Sequence, residues 1–181
     1  MQKKKITEMG RLSVAEFKQA KKLPLTVVLD NVRSLNNIGS IFRTCDAFGI
    51  ERLMLCGICA TPPCAEIHKT ALGAEDSVSW EYFETTAQAI DRLEAEGYTV
   101  CCLEQVHESI SLENFEPDFS QGGYALVSGH EVDGVDPVIV DRCRHCLEIP
   151  QVGTKHSLNV SVSTGIAIWH FFEKYSRFAP K

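Results

Sequence analysis

The sequence predicts an α/β fold: a parallel sheet flanked by helices on both sides. Three observations carry that expectation. The apolar runs are continuous rather than alternating, as in strands buried on both faces. Helix-type segments fall between most of those runs in a regular rhythm. The 181 residues, 44% hydrophobic and 23% charged, show no linker, internal repeat or low-complexity tract, which suits one domain with a proper core.

The elements follow in order. Ser13 and Glu16 form a capping box that opens a short helix over Ser13–Lys21. The first strand is "LTVVLD" (25–30). A helix over 37–48 comes next, with Asn36 or Asn37 as its cap and Ile38, Ile41, Phe42 and Cys45 at helical spacing. Strands follow at 52–58, 98–104, 124–129 and 145–150, and helices at 64–72, 85–96 and 137–143. Thr85 or Thr86 starts the second of these helices and Gly97 stops it, while Pro137 sits in the first turn of the third. The last helix, about 157–175, begins at Ser157 or Asn159 and is apolar almost all round. Such a helix must be covered on more than one side, either inside its own core or by a second subunit.

Net charge is −6, which disfavours a nucleic-acid partner until its distribution is considered. Residues 1–22 hold seven Lys/Arg (3, 4, 5, 11, 18, 21, 22) against two Glu, whereas the rest of the chain holds 11 basic and 22 acidic residues. Residues 1–22 therefore read as a basic arm ahead of a domain over 23–181, and the arm is either a phosphate contact or a solvated tail. The apolar runs are too short to span a membrane, and no apolar segment follows the basic N-terminus as a secretory signal would. Eight cysteines include two C-x-x-C pairs, Cys56/Cys59 and Cys143/Cys146. They are far apart in the chain and lie in strand-like runs that turn i and i+3 to opposite faces, so buried, reduced thiols in a cytoplasmic protein are expected, with no metal.

Ligands of parallel sheets bind outside the carboxyl ends of the strands. No G-x-G-x-x-G opens a helix after a strand and no G-x-x-x-x-G-K-[ST] occurs, so the usual nucleotide signatures are missing. What stands at those ends is different. Arg43 falls on a helix face whose neighbours Gly39, Ser40, Asp46 and Ala47 are short, so its guanidinium is either uncovered or paired with Asp46 at i, i+3. "SGHEVDGVD" (128–136) is a glycine-bracketed turn, in which Gly129 and Gly134 either admit a flat ligand or take positive φ. A Ser128/His130 nucleophile pair is poorly placed on an extended chain.

Taken together, "N-x-G-x-x-x-R-T" (Asn37–Thr44), "L-V-S-G-H-E-x-x-G" (Leu126–Gly134) and "I-P-x-x-G-x-x-x-S-L-N-V-S" (Ile149–Ser161) resemble the motifs of the SpoU/TrmH family of RNA ribose 2′-O-methyltransferases. The resemblance implies an α/β fold with a C-terminal trefoil knot, S-adenosyl-L-methionine as cofactor and a homodimer with its active site at the interface. It implies a cofactor pocket near Leu103, Glu104, Ser128, Gly129, Ile149, Val152, Ser157 and Leu158. It places the family's polar positions on Asn37, Arg43, Glu131, Ser157 and Asn159.

Under that resemblance Arg43 serves the partner's cofactor. A guanidinium does not lose its proton in proteins, so it would hold a phosphate and stabilise the developing alkoxide rather than act as a base. Asn37 would orient Arg43 or the ribose, with Glu131, Ser157 and Asn159 shaping the site. The substrate is RNA. The short arm leaves no room for an additional N-terminal RNA-binding domain, which favours tRNA over rRNA. The alternatives are a non-catalytic RNA-binding protein that keeps the knotted fold and an α/β hydrolase or phosphate-sugar enzyme of ordinary topology.

Overall fold

The computed structural model describes residues 3, 5, 8 and 10–178. Lys4, counted with the basic arm, and residues 179–181 of the expected domain lie outside them. The chain runs α1 (Val14–Gln19), β1 (Leu23–Asp30), α2 (Leu35–Ala47), β2 (Ile50–Cys56), α3 (Ala65–Ala71), α4 (Ala74–Ser77), β3 (Trp80–Phe83) and α5 (Thr86–Ala95). It continues through β4 (Thr99–Leu103), β5 (Ile110–Ser111), a 3-10 turn (Leu112–Asn114), β6 (Tyr124–Ser128), α6 (Pro137–Val140), β7 (His145–Glu148) and α7 (Val160–Phe178). The seven strands form one sheet in the order β3-β2-β1-β6-β4-β7-β5, and every pairing is parallel.

Along β1 successive side chains enter opposite layers, as the period of two requires. Val27 and Leu29 join Ile38, Ile41 and Phe42 of α2 and Ala167, Ile168 and Phe171 of α7 on one face. Val28 joins Ala89, Ile90 and Leu93 of α5 and Ile139 of α6 on the other. All of these but Ile139 are fully buried, each contributing about 1.5–3 kcal/mol for the larger side chains. Gly39 lets α2 cross α3 closely, since a Cβ there would lie 2.1 Å from Thr70 Oγ1 and 2.3 Å from the Ile67 carbonyl.

Several boundaries differ from expectation. The cap of α2 is Ser34, whose hydroxyl accepts from the Asn37 amide (3.3 Å), so Asn37 lies inside the first turn with its side chain free for other partners. Helix α7 starts at Val160, because Asn159 Oδ1 accepts from the Ser161 amide (2.9 Å) and leaves Ser157 and Leu158 in the preceding loop. Helix α6 stops after four residues, at Val140. Two strands are additional to the expected five. β3 is a half-exposed edge and β5 is only two residues long.

The strand β7 lies between β4 and β5, although β4 and β5 are consecutive in the chain. The connection from β4 to β5 therefore arches over a strand supplied more than thirty residues later. This is the interleaving that the expected C-terminal knot needs, and connection rules alone argue against it.

Candidate active site

The carboxyl ends of β4, β6 and β7 open into one cleft. Leu103, Glu104, Ser128, Gly129, Ile149, Ser157 and Leu158 all line it, so seven of the eight positions expected around a cofactor meet there. Val152 does not. It lies in an exposed loop and its side chain stands fully in solvent, at 105% relative exposure. The cleft also takes in Gln105 and Gln151. Gln105 directly follows the third expected strand, and its Nε2 donates to the His156 carbonyl (3.1 Å), joining β4 to the loop before α7. Gln151 lies inside the third motif at a variable position and carried no signal of its own.

The turn after β6 is built by its own residues. His130 and Gly134 exchange backbone hydrogen bonds of 2.9 and 3.0 Å. Gly134 has φ +71, and a Cβ on Gly129 would lie 2.1 Å from the Gly134 carbonyl carbon, so the glycines serve the tightness of this turn. Glu104 fastens it from the side, with Oε2 accepting from the Val135 amide (3.0 Å) and Oε1 from the Gln105 amide (2.8 Å). The Ser128 hydroxyl is buried and accepts from Thr164 Oγ1 of α7 (2.8 Å), while His130 Nδ1 accepts from the Val132 and Asp133 amides (3.3 Å each). Neither is arranged as a nucleophile and its base.

Glu131 projects from this turn onto the start of α2. Its Oε1 accepts from the Ser34 amide (2.8 Å) and Asn37 Nδ2 (3.0 Å), and its Oε2 from the Arg33 amide (3.1 Å). Burial alone would raise its pKa. The donors from Arg33, Ser34 and Asn37 outweigh burial and hold the carboxyl below the ordinary glutamate range. A carboxylate at a helix N-terminus is further favoured by the helix dipole. Asn159 Nδ2 in turn donates to Asn37 Oδ1 (3.1 Å). The three polar motif positions Asn37, Glu131 and Asn159 thus form one hydrogen-bonded chain at the rim of the cleft, bridging sequence separations of 94 and 122 residues.

Arg43 stands apart. It is six residues, or about 9 Å of helix rise, further along α2 than Asn37. Its side chain is exposed, and among the described residues its guanidinium has neither a hydrogen bond nor an ion pair. Asp46, the alternative partner, instead accepts from Ser77 Oγ (2.6 Å). Arg43 lines a second groove with Arg11, Phe17 and Leu72 rather than the cleft that holds Ser157. The five polar positions therefore divide: three are linked, Ser157 is at the cleft, and Arg43 faces elsewhere.

The sequence profile of the SpoU rRNA Methylase family matches residues 24–169. The chain belongs to the SpoU family. A Staphylococcus aureus protein assigned to the TrmH family of tRNA/rRNA methyltransferases is 29% identical over 157 residues, covering 87% of this chain. The chain spans only 62% of that relative's length. Among solved structures, the TrmH/SpoU tRNA modifying enzyme of A. aeolicus superposes with a TM-score of 0.79 at 25% identity, covering 91% of this chain and 83% of that one. The SpoU methyltransferase AviRb of Streptomyces viridochromogenes, crystallised with AdoMet, superposes with a TM-score of 0.77 at 20% identity, over 90% and 64% of the two chains. At that identity the match is one of SpoU fold. Among the described residues no helix is long and apolar enough to cross a membrane.

Proposed function

We propose that this SpoU protein is an S-adenosyl-L-methionine-dependent RNA methyltransferase that modifies a ribose 2′-OH, acting as a homodimer in the cytoplasm. The observation that carries the reading is the linked Asn37–Glu131–Asn159 chain at the rim of a cleft, combined with a cation on the same helix that has no partner among the described residues.

The cleft suits the cofactor by the chemistry of its lining. Leu103, Ile149 and Leu158 offer apolar surface for a flat base, while Glu104, Gln105 and Ser157 offer polar groups around it. When bound, the cofactor supplies an electrophilic methyl group on a sulfonium. The chain's own residues supply the remainder. Glu131, kept ionised by three donors, locks the start of α2 and fixes Asn37 in one orientation. Asn159 couples that arrangement to α7. Arg43, permanently charged, stabilises the alkoxide that forms as the 2′-OH loses its proton to an adjacent phosphate or to water.

Arg43 meets this role across a dimer interface. Val162, Ile166 and Trp169 of α7 are 50%, 40% and 53% exposed at i, i+4 and i+7, an uncovered apolar stripe. Trp169 packs on Phe48 at 5.7 Å between ring centroids, and a Cβ on Gly165 would lie 3.9 Å from Thr44, the residue after Arg43. A second copy laid on this stripe would bring its cleft toward Arg43. The domain over 23–181 would carry the reaction and the basic arm over 1–22 would contact RNA phosphates. The similarity to a tRNA modifying enzyme favours tRNA.

The test is incubation with isotopically labelled S-adenosylmethionine and total RNA, followed by mapping of the labelled nucleotide. Label on a ribose 2′-oxygen of tRNA is the expected result, and label on a base would overturn the reading. Calorimetric binding of S-adenosylhomocysteine without methyl transfer to any RNA would leave a non-catalytic binding protein.

A further inference from the structure

The Cys143-x-x-Cys146 pair has no part in the site above, yet it lies directly behind it. Cys102 of β4 and Cys146 of β7 are register partners, and their Sγ atoms are 3.0 Å apart. Cys143 lies beside Cys102, and its Sγ donates to the Ile139 carbonyl (3.2 Å). Three thiols thus converge on the α5/α6 side of the sheet, the face opposite α7. Cys102 is buried, whereas Cys143 and Cys146 are half-buried and reachable. One residue further along each strand, Leu103 and Leu147 are also register partners and both line the cleft.

We propose that Cys102 and Cys146 are a redox modification site, closing to a reversible disulfide with a low-molecular-weight disulfide as oxidant, and that closure weakens ligand binding in the adjacent cleft. The second half rests on the cofactor reading above. Neighbouring strands lie about 4.8 Å apart, within the range of roughly 4.4–6.8 Å between Cα atoms in which a disulfide forms without backbone movement.

In the first step the Cys146 thiol loses its proton and attacks one sulfur of the oxidant. A mixed disulfide forms, the oxidant's S–S bond breaks, and one small thiolate leaves and takes up that proton. Cys102 then gives up its proton and attacks the Cys146 sulfur, expelling the second small thiolate, which is protonated in turn. Two protein thiols are oxidised and one small disulfide is reduced to two thiols. Burial, and then the neighbouring Cys102, push the Cys146 thiol up to about 12, so little thiolate is present at neutral pH and the exchange is slow, needing sustained oxidant. Closure shortens the 3.0 Å separation by about 1 Å, and because disulfides prefer Cα atoms about 5.5–6 Å apart, the link strains the two strands one residue before Leu103 and Leu147.

The experiment treats the full chain with oxidised glutathione, digests it without reduction and maps linked peptides by mass spectrometry. S-adenosylhomocysteine is titrated calorimetrically into both forms. The expected result is a Cys102–Cys146 link removed by dithiothreitol, with S-adenosylhomocysteine bound about tenfold more weakly until reduction restores it. In Cys146→Ser the oxidant should leave that affinity unchanged. Glutathione adducts alone, or a link between other cysteines, would overturn the modification site. A correct link with unchanged affinity would overturn its coupling to the cleft. Reduced protein that does not bind S-adenosylhomocysteine would remove the cofactor reading instead, while the mapped link would still stand or fall by itself.

Discussion

The two ends of α2 are organised in opposite ways. At its start, Glu131 ties down the Arg33 and Ser34 amides and Asn37, and Asn159 completes the chain. Two turns later Arg43 is exposed and, among the described residues, touches no partner through its guanidinium. One end is finished within the protomer; the other is complete only when something else arrives. A rigid helix joins them, so the pinned end sets the position of the unpinned one, an economical way to pre-organise a charge for a site on another surface.

Substitutions can break this contrast. The largest effect is expected for Arg43→Ala. Loss of a stabilising charge at the reacting oxygen should reduce methyl transfer by about 100-fold or more. Thermal stability should stay within about 0.5 kcal/mol, as for other surface changes, and S-adenosylhomocysteine affinity should be nearly unchanged. Full activity in a methylation assay would remove Arg43 from the mechanism. Glu131→Ala should do the reverse first, lowering stability by about 1.5–3 kcal/mol in urea melts by orphaning three donors. Activity should then fall through misplacement of α2. Equal stability of the two variants would erase the distinction between the ends.

Acidity sharpens the same comparison. A carboxyl held below its ordinary range contributes stability fully above that range, and the contribution is lost as pH falls through the lowered value. The gap between wild type and Glu131→Gln should therefore be constant from about pH 8 to pH 5 and close below about pH 4. Arg43→Ala should track wild type throughout in the same melts. The smallest effect is expected for Asn159→Ala, about 1 kcal/mol, from loss of the α7 cap together with the bond to Asn37. Asn159→Asp should recover the cap but not the donor to Asn37, which a double-mutant cycle with Asn37→Ala would resolve.

What the sequence disclosed follows from the range of the interactions. The strands β1, β2, β4 and β6 were legible because burial on both faces makes each a largely continuous apolar run, and the helices because their apolar positions recur locally. The half-exposed edge Trp80–Phe83 and the two-residue Ile110–Ser111 lack such a run and were invisible. Ser34 as the α2 cap was missed because two asparagines nearby are equally good caps in isolation. Asn37 is needed by Glu131, a residue 94 positions away. The linked polar chain was accessible only through the family motifs, since no local pattern couples Asn37, Glu131 and Asn159. The separation of Arg43 from its own cleft was legible only through the family resemblance, which has this arginine serve the partner's cofactor. It depends on which way the helix presents its faces after packing, with Ile41 and Phe42 turned to the core.

The strand inserted between β4 and β5 sets a calendar for synthesis. A polypeptide emerging from the ribosome can lay down the central strands and both flanking layers in part, but the ligand-facing wall waits for Glu148 and the loop beyond it. Truncation anywhere before that point leaves a sheet with an empty slot and no receptor for a small molecule. Recognition is thus the final property the growing chain acquires, and it arrives together with the helix that carries the apolar stripe.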